Sequence, residues 1–295
     1  MTRTKAVQGM AWLSIATSIA TLGLKFGAYF LTGSVSLLSD AMEAFVNLAA
    51  GMVALGALTY AARPADDDHA FGHDKAEYFA SGVEGALILV AAASIAWAAV
   101  QRLLHPAPVE SLGWGIMVSV VAAGMNFATA RIMLRAARAH DSITLEADAK
   151  HLLTDVWTTV GIVAGLLVVM WRPEWSILDP LMAIAVAIQI VFTGVDLLRR
   201  SADALLDAAL PPDELRTAEA AIRGALPPEA DFHALRTRKA GARRFLDLHL
   251  VVPGTMSVAE SHALCDRVEA AIEAELPRAD ATVHVEPRES AAPHR

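Results

Sequence analysis

Over its first 200 positions the chain alternates long apolar runs with short polar breaks. A bilayer core of about 30 Å takes ~20 apolar residues in a helix. Six stretches reach that length: about 8–31, 35–60, 78–104, 112–138, 144–170 and 176–199. The breaks carry turn or charge signals, such as Thr32-Gly33-Ser34, His105-Pro106-Ala107-Pro108 and Trp171-Arg172-Pro173. After Pro211-Pro212 the period changes. Asp213–Leu226 predicts an amphipathic helix, about 232–238 and 244–252 predict strands, 257–276 a second helix and 281–286 a last strand. Helix–strand–strand–helix–strand predicts a small α+β domain of the ferredoxin-like kind. The expected fold is therefore membrane α-helical: a six-helix transmembrane domain over 1–208, a ferredoxin-like αββαβ domain over 209–287, and a disordered tail over 288–295.

Composition agrees with this division. The 295 residues are 55% hydrophobic and only 19% charged, against about 25% in an ordinary soluble protein, and the mean hydropathy is +0.43. Residues 1–200 hold 29 charged side chains and the last 95 hold 27, so charge density roughly doubles near residue 200. The first apolar run is longer than the ~7–15-residue core of a signal peptide, which makes it a retained span. With the N-terminus inside, Arg3, Lys5, Arg63, Lys75, Arg135, Arg138, Arg199 and Arg200 flank the inner face, and only Arg102 and Arg172 the outer. That bias predicts an integral membrane protein with both termini cytoplasmic; a bacterial inner membrane is the expected location. A net charge of -8 gives no reason to expect nucleic acid, and the single Cys265 excludes a disulfide framework or a multi-thiolate metal centre.

Ionisable groups deep in a span are costly and mark function. The second span carries Asp40, Glu43 and Asn47, spaced i, i+3, i+7 on one face; the fifth repeats the spacing with Asp148, His151 and Asp155. Two such faces can enclose a metal ion. Asp40 and Asp148 read equally as extra ligands or as members of a buried hydrogen-bond network. Lys25 is expected to snorkel to the outer interface, and Glu84 and Gln101 to be ordinary residues near span ends. In the loop after the second span, Asp66, His69 and His73 offer three ligands of a tetrahedral site. The tail domain adds His233, His249, His262, His284 and Glu286. His284 and Glu286 are two apart on one strand and share a face. On the middle strand Leu246, Leu248 and Leu250 point one way and Asp247 and His249 the other. Several histidines and a carboxylate on one solvated sheet face suit a zinc-like cation.

Together these residues resemble the cation diffusion facilitator family of divalent-metal transporters. The resemblance covers about residues 8–287. Its most specific stretches are Arg63-Pro-Ala-Asp-Asp-Asp-His-Ala-Phe-Gly-His-Asp-Lys-Ala-Glu77, His151-Leu-Leu-Thr-Asp155, Leu205-Leu-Asp-Ala-Ala-Leu-Pro211 and His233-Ala-Leu-Arg-Thr-Arg238. It implies a homodimer in the lipid bilayer that expels divalent cations from the cytoplasm in exchange for protons, with no enzymatic activity, ATP or organic cofactor. Metal ions are then both substrate and structural or regulatory ions. The family's transport site falls on Glu43, Asn47, His151 and Asp155, and its loop site on Asp66, His69 and His73. Its tail cluster falls on His233, His249, His262, His284 and Glu286, and a charge pair between membrane and tail domains on Lys75 and Asp207.

One departure bears on the metal. Better-known zinc members carry Asp or His and then Asp on the second span, where this chain has Glu43 and Asn47. An amide keeps an oxygen donor and removes a charge, which suits Fe²⁺, Mn²⁺ or Co²⁺ at least as well as Zn²⁺; Asp40, one turn earlier, is placed to restore the charge. His151 is the natural proton-exchanging group near neutral pH, because metal binding requires it neutral. A membrane-anchored metal sensor is the alternative, although a sensor needs no polar residues at mid-membrane. The chain has no His-Glu-x-x-His sequence and no phosphate-binding Gly-x-x-x-x-Gly-Lys-[Ser/Thr] loop.

Overall fold

A computed structural model describes the backbone of residues 3–107, 109–140 and 143–288, and the side chains of 10, 12–107, 109–136 and 149–288. The chain divides into two compact units: Met1–Ala54 with Val83–Leu198, and Leu55–Gly82 with Arg199–Arg295. Among the described residues six long helices come first: α1 (Arg3–Thr32), α2 (Val35–Ala61), α3 (Ala76–Leu104), α4 (Leu112–His140), α5 (Ile143–Trp171) and α6 (Leu178–Leu205). Each holds a window long and apolar enough to cross a membrane. They match the six predicted runs closely, except that α1 begins earlier, at Arg3, and α6 continues past its apolar run to Leu205. The extension, Arg200-Ser-Ala-Asp-Ala-Leu205, includes two alanines, a leucine and an arginine, all strong helix formers.

Helix packing in the first unit depends on small residues, as expected where lipid supplies no hydrophobic drive between helices. A methyl group on Gly85 of α3 would lie 2.9 Å from Leu198 Cγ and 3.1 Å from the Gly194 carbonyl of α6. Ala28 of α1, Ala122 and Ala130 of α4 and Ala149 of α5 are all fully buried. The α1–α2 turn is two residues long because Gly33 takes φ +63°, open to glycine at no steric cost. The N-terminus of α2 is capped from α6. The Asp179 carboxylate accepts from the backbone N–H of Val35 (2.9 Å) and Ser36 (3.1 Å) and from the hydroxyls of Ser34 (2.5 Å) and Ser36 (2.6 Å).

In the second unit the tail folds as α7 (Pro212–Ala225), β1 (Asp231–Ala240), β2 (Arg243–Val252), α8 (Val258–Glu275) and β3 (Ala279–Pro287), the expected αββαβ order. The sheet order is β1-β2-β3, antiparallel between the first two and parallel between the last two. Leu246, Leu248 and Leu250 alternate onto one face and bury against Ile222 of α7 and Leu264, Val268 and Ile272 of α8. Each such side chain contributes about 1.5–3 kcal/mol of burial. Ser257 and Glu260 close a reciprocal capping box at the start of α8. With both helices on the leucine face, the other face of the sheet is left to the histidines. Arg288 donates its N–H to Val252 at 2.8 Å; residues 289–295, the rest of the expected disordered tail, lie outside the described residues.

Candidate metal sites

In the first unit, Glu43 and Asn47 sit one turn apart on α2, and His151 and Asp155 one turn apart on α5. Asp155 is buried, Glu43 and Asn47 are half-buried, and His151 is exposed. The amide nitrogen of Asn47 and one carboxylate oxygen of Asp155 are buried with no hydrogen-bond partner. A buried polar atom left unpaired costs about 1–3 kcal/mol, so such atoms point to something they bind. The amide of Asn47 can turn over to present oxygen in place of nitrogen. Glu43 and Asp155 are close enough for their charges to interact, as are Asp155 and His151. Among the described residues, however, Glu43, His151 and Asp155 are not one of the groups whose ligand atoms converge within 4.8 Å.

Asp40 is already engaged. Lys25 Nζ donates to its Oδ1 at 2.7 Å, and Thr159 Oγ1 lies 3.1 Å from each of its oxygens. This corrects the expectation for Lys25, whose side chain is 2% exposed and stays inside the helices. A carboxylate within hydrogen-bond distance in a low-dielectric interior holds the ammonium more firmly than a stretch toward the interface would. The Asp148 side chain lies outside the described residues. Glu84, expected to be an ordinary residue near a span end, is close enough to His151 for their charges to interact. Thr159, one turn beyond Asp155, is not legible from sequence, since a hydroxyl residue in a span carries no signal without its neighbour across the helix interface.

The loop group belongs to the second unit and converges tightly. His69 Nδ1 is 3.2 Å from Asp66 Oδ1 and His73 Nε2 is 3.3 Å from Asp66 Oδ2. The imidazole centroids are 4.5 Å apart, and the three ligand atoms fall within 4.8 Å of one another. The backbone N–H of His69 donates to Asp66 at 2.7 Å, and that bond is the first cause holding the Asp66 carboxyl below its ordinary pKa. His73 is buried against Tyr60, edge to face at 4.7 Å, and its Nδ1 has no partner. One carboxylate and two imidazoles, one with an unpartnered buried nitrogen, fit a transition-metal ion.

The tail group follows from sheet register. His233 pairs with His249 across β1 and β2, and His249 with His284 across β2 and β3, so three histidines form one row. Glu286, two residues beyond His284, returns to the same face. Its Oε2 is 3.1 Å from His233 Nε2, and its Oε1 is 2.7 Å from His249 Nδ1. The ligand atoms of His233, His249 and Glu286 lie within 4.8 Å of one another. His284 Nε2 is 3.7 Å from Glu286, and its ring is 4.9 Å from that of His249. The hydrogen bond to His233, then that to His249, holds the Glu286 carboxyl below its ordinary pKa. His262 does not join them in this chain. It lies on α8, which packs on the leucine face, and sits 3.9 Å from Asp266 with its side chain 77% exposed.

Lys75, from the loop after α2, donates to Asp207, just past α6, at 2.8 Å, and Arg238 Nη1 is 3.7 Å from the same Asp207 oxygen. The Arg238 guanidinium also stacks on Phe245 at 4.2 Å and on Phe71 at 5.2 Å. Loop and tail are therefore joined by charge and by π-faces together.

Six apolar helices with buried unpaired polar atoms, in a chain that also carries a histidine row, define a membrane protein that handles cations. The family profile described as the cation efflux transmembrane domain matches residues 11–206, and that of the cation efflux protein's cytoplasmic domain matches residues 210–288. The chain belongs to the cation diffusion facilitator family, which consists of metal-efflux transporters. An uncharacterized transporter of Synechocystis is 46% identical over 283 residues, 95% of this chain and 90% of that one. The cation-efflux pump FieF of Shewanella oneidensis is 33% identical over 274 residues, 93% of this chain and 92% of that one. A solved structure of the zinc form of CzrB is 41% identical, covering 29% of this chain and 98% of its own, with a TM-score of 0.28.

Proposed function

We propose that this chain exports divalent transition-metal ions of the Zn²⁺, Fe²⁺, Mn²⁺ and Co²⁺ class from the cytoplasm in exchange for protons. The ion passes through a site made by Glu43 and Asn47 of α2 with His151 and Asp155 of α5. The observation that carries this reading is the pair of buried, unpaired polar atoms on Asn47 and Asp155. They lie on two apolar helices, where unpaired polar atoms serve no packing purpose. Residues 1–208 form the transport domain and 209–287 a metal-binding domain on the cytoplasmic side, with both termini cytoplasmic and two copies of the chain acting as a dimer.

The cycle follows from the donor set. A cytoplasmic divalent ion meets two carboxylates, an amide and an imidazole, and binds as protons leave. Rearrangement of the helices exposes the ion to the outside, where protons compete it off; no ATP is used. Ions at the loop group (Asp66, His69, His73) and the tail group (His233, His249, His284, Glu286) brace the loop and the sheet and regulate the carrier. The test is metal uptake into inverted proteoliposomes under an imposed pH gradient. His151→Ala and Asp155→Ala are expected to abolish uptake, and wild-type rates in either would overturn the site. Asn47→Asp should move the ranking of the four metals toward Zn²⁺; an unchanged ranking would show that the amide does not select.

A further inference from the structure

Lys25 and Asp40 are 2% and 1% exposed, with Nζ and Oδ1 2.7 Å apart, inside a unit whose helices are predominantly apolar. Such pairs are not there for stability, since apolar replacements of similar volume often serve it as well or better. Their position says more. Asp40 precedes Glu43 by three residues on α2. Thr159, which contacts both Asp40 oxygens, follows Asp155 by one turn on α5 and donates to the Asp155 carbonyl at 2.9 Å. Asp40 thus lies at the contact between the two helices that carry the transport ligands, and Lys25 reaches it from α1. The Lys25 charge acts on Asp155 and Glu43 as well as on Asp40.

Counting charges gives its consequence. With all three carboxylates ionised, Asp40, Glu43 and Asp155 supply three negative charges and Lys25 one positive. The cluster then carries two net negative charges, the match for one divalent ion. We propose that Lys25 and Asp40 are a fixed counter-charge pair that sets this net charge and so determines how tightly the transported ion is held. Neither touches the ion; both are positioning residues, and Thr159 ties their geometry to Asp155. The proposal rests on the α2/α5 site as the transport site.

The experiment measures Zn²⁺ and Mn²⁺ flux by the full chain in proteoliposomes, reading KM and maximal rate separately. Asp40→Asn leaves the Lys25 charge uncompensated beside the ligands and should raise KM about tenfold or more. Lys25→Gln leaves a third uncompensated carboxylate and should lower KM while slowing the maximal rate, because the ion leaves less readily. Lys25→Arg keeps the charge and should match wild type. The double variant Lys25→Gln/Asp40→Asn should return KM to within about threefold of wild type. Loss of a merely structural contact would move both single variants in the same direction. Each substitution keeps a hydrogen-bonding group in place, and each single variant decides alone: an unchanged KM in Asp40→Asn, or a raised KM in Lys25→Gln, overturns the proposal. Asp155→Asn separates the two failures. If it transports normally, the site itself is wrong. If it is inactive while Lys25→Gln and Asp40→Asn leave KM unmoved, the counter-charge role alone is wrong.

Discussion

Asp179→Ala tests how the helix that carries Glu43 and Asn47 is held at its start. The carboxylate is fully buried and accepts four hydrogen bonds, from Val35 N, Ser36 N, Ser34 Oγ and Ser36 Oγ, at 2.5–3.1 Å. Bonds to a charged acceptor contribute about 1.5–3 kcal/mol each, and loss of a helix N-cap costs about 0.5–2 kcal/mol. The sum overstates the effect, because coupled bonds are not additive. The freed serine hydroxyls also retain each other, 3.1 Å apart, and Ser34 Oγ still accepts from Leu37 N. A net loss of about 3–5 kcal/mol follows, with Asp179→Asn losing roughly half of that because it keeps one oxygen. Unfolding in detergent, followed by tryptophan fluorescence against added SDS, measures it. A loss under about 1 kcal/mol in Asp179→Ala, or equal losses in the two variants, would refute the view that this carboxylate holds the start of α2.

Other consequences are checked more briefly. In the tail domain, Arg244 Nε and Nη2 donate to Glu214 at 2.7 and 3.2 Å, with Lys239 at 3.4 Å, and the Arg244 bonds lead in holding the Glu214 carboxyl below its ordinary pKa. A depressed carboxylate stabilises the fold above its unfolded pKa and loses that contribution as pH falls through the folded value. Glu214→Gln should therefore melt below wild type at pH 7, and the gap should close as the medium is acidified below about pH 4.3; a gap that widens on acidification contradicts the pairing. Glu286→Gln removes the carboxylate shared by His233 and His249, so the purified chain should retain at least one fewer zinc ion after gel filtration, measured by elemental analysis, and unchanged zinc would dismiss the tail group. Gly85→Ala pushes a methyl group against Leu198 and the Gly194 carbonyl and should cost about 1–3 kcal/mol. Gly113→Ala meets nothing within 4 Å and should be near neutral; equal effects in thermal melts would argue against close α3–α6 packing.

Much of this architecture is written in local pattern. The apolar runs predict all six long helices, because length and hydropathy suffice to identify a span. The period-2 alternation of Leu246, Leu248 and Leu250 against Asp247 and His249 predicts which face of β2 is buried. The tight α1–α2 turn at Gly33 is also legible, and it holds a further signal. Lys25 lies eight residues before that glycine and Asp40 seven after it, so an antiparallel helix pair brings them level. Snorkelling considers one side chain and the interface, whereas the partner of Lys25 is on another helix. Glu84 is illegible for a similar reason, its neighbour His151 being distant in the chain.

The sequence by itself determined the elements, their order and the residue types that could hold a metal, because helical and strand periods and ligand chemistry are local properties. Only the tertiary structure decided which candidates meet. Register across three strands aligned His233, His249 and His284 and brought Glu286 between two of them, while the packing of α8 on the opposite face left His262 outside. Helix packing gave Asp40 to Lys25 and left Asn47 and Asp155 with unpaired buried atoms. Distances between side chains far apart in sequence are set by how faces pack, and no local pattern encodes them.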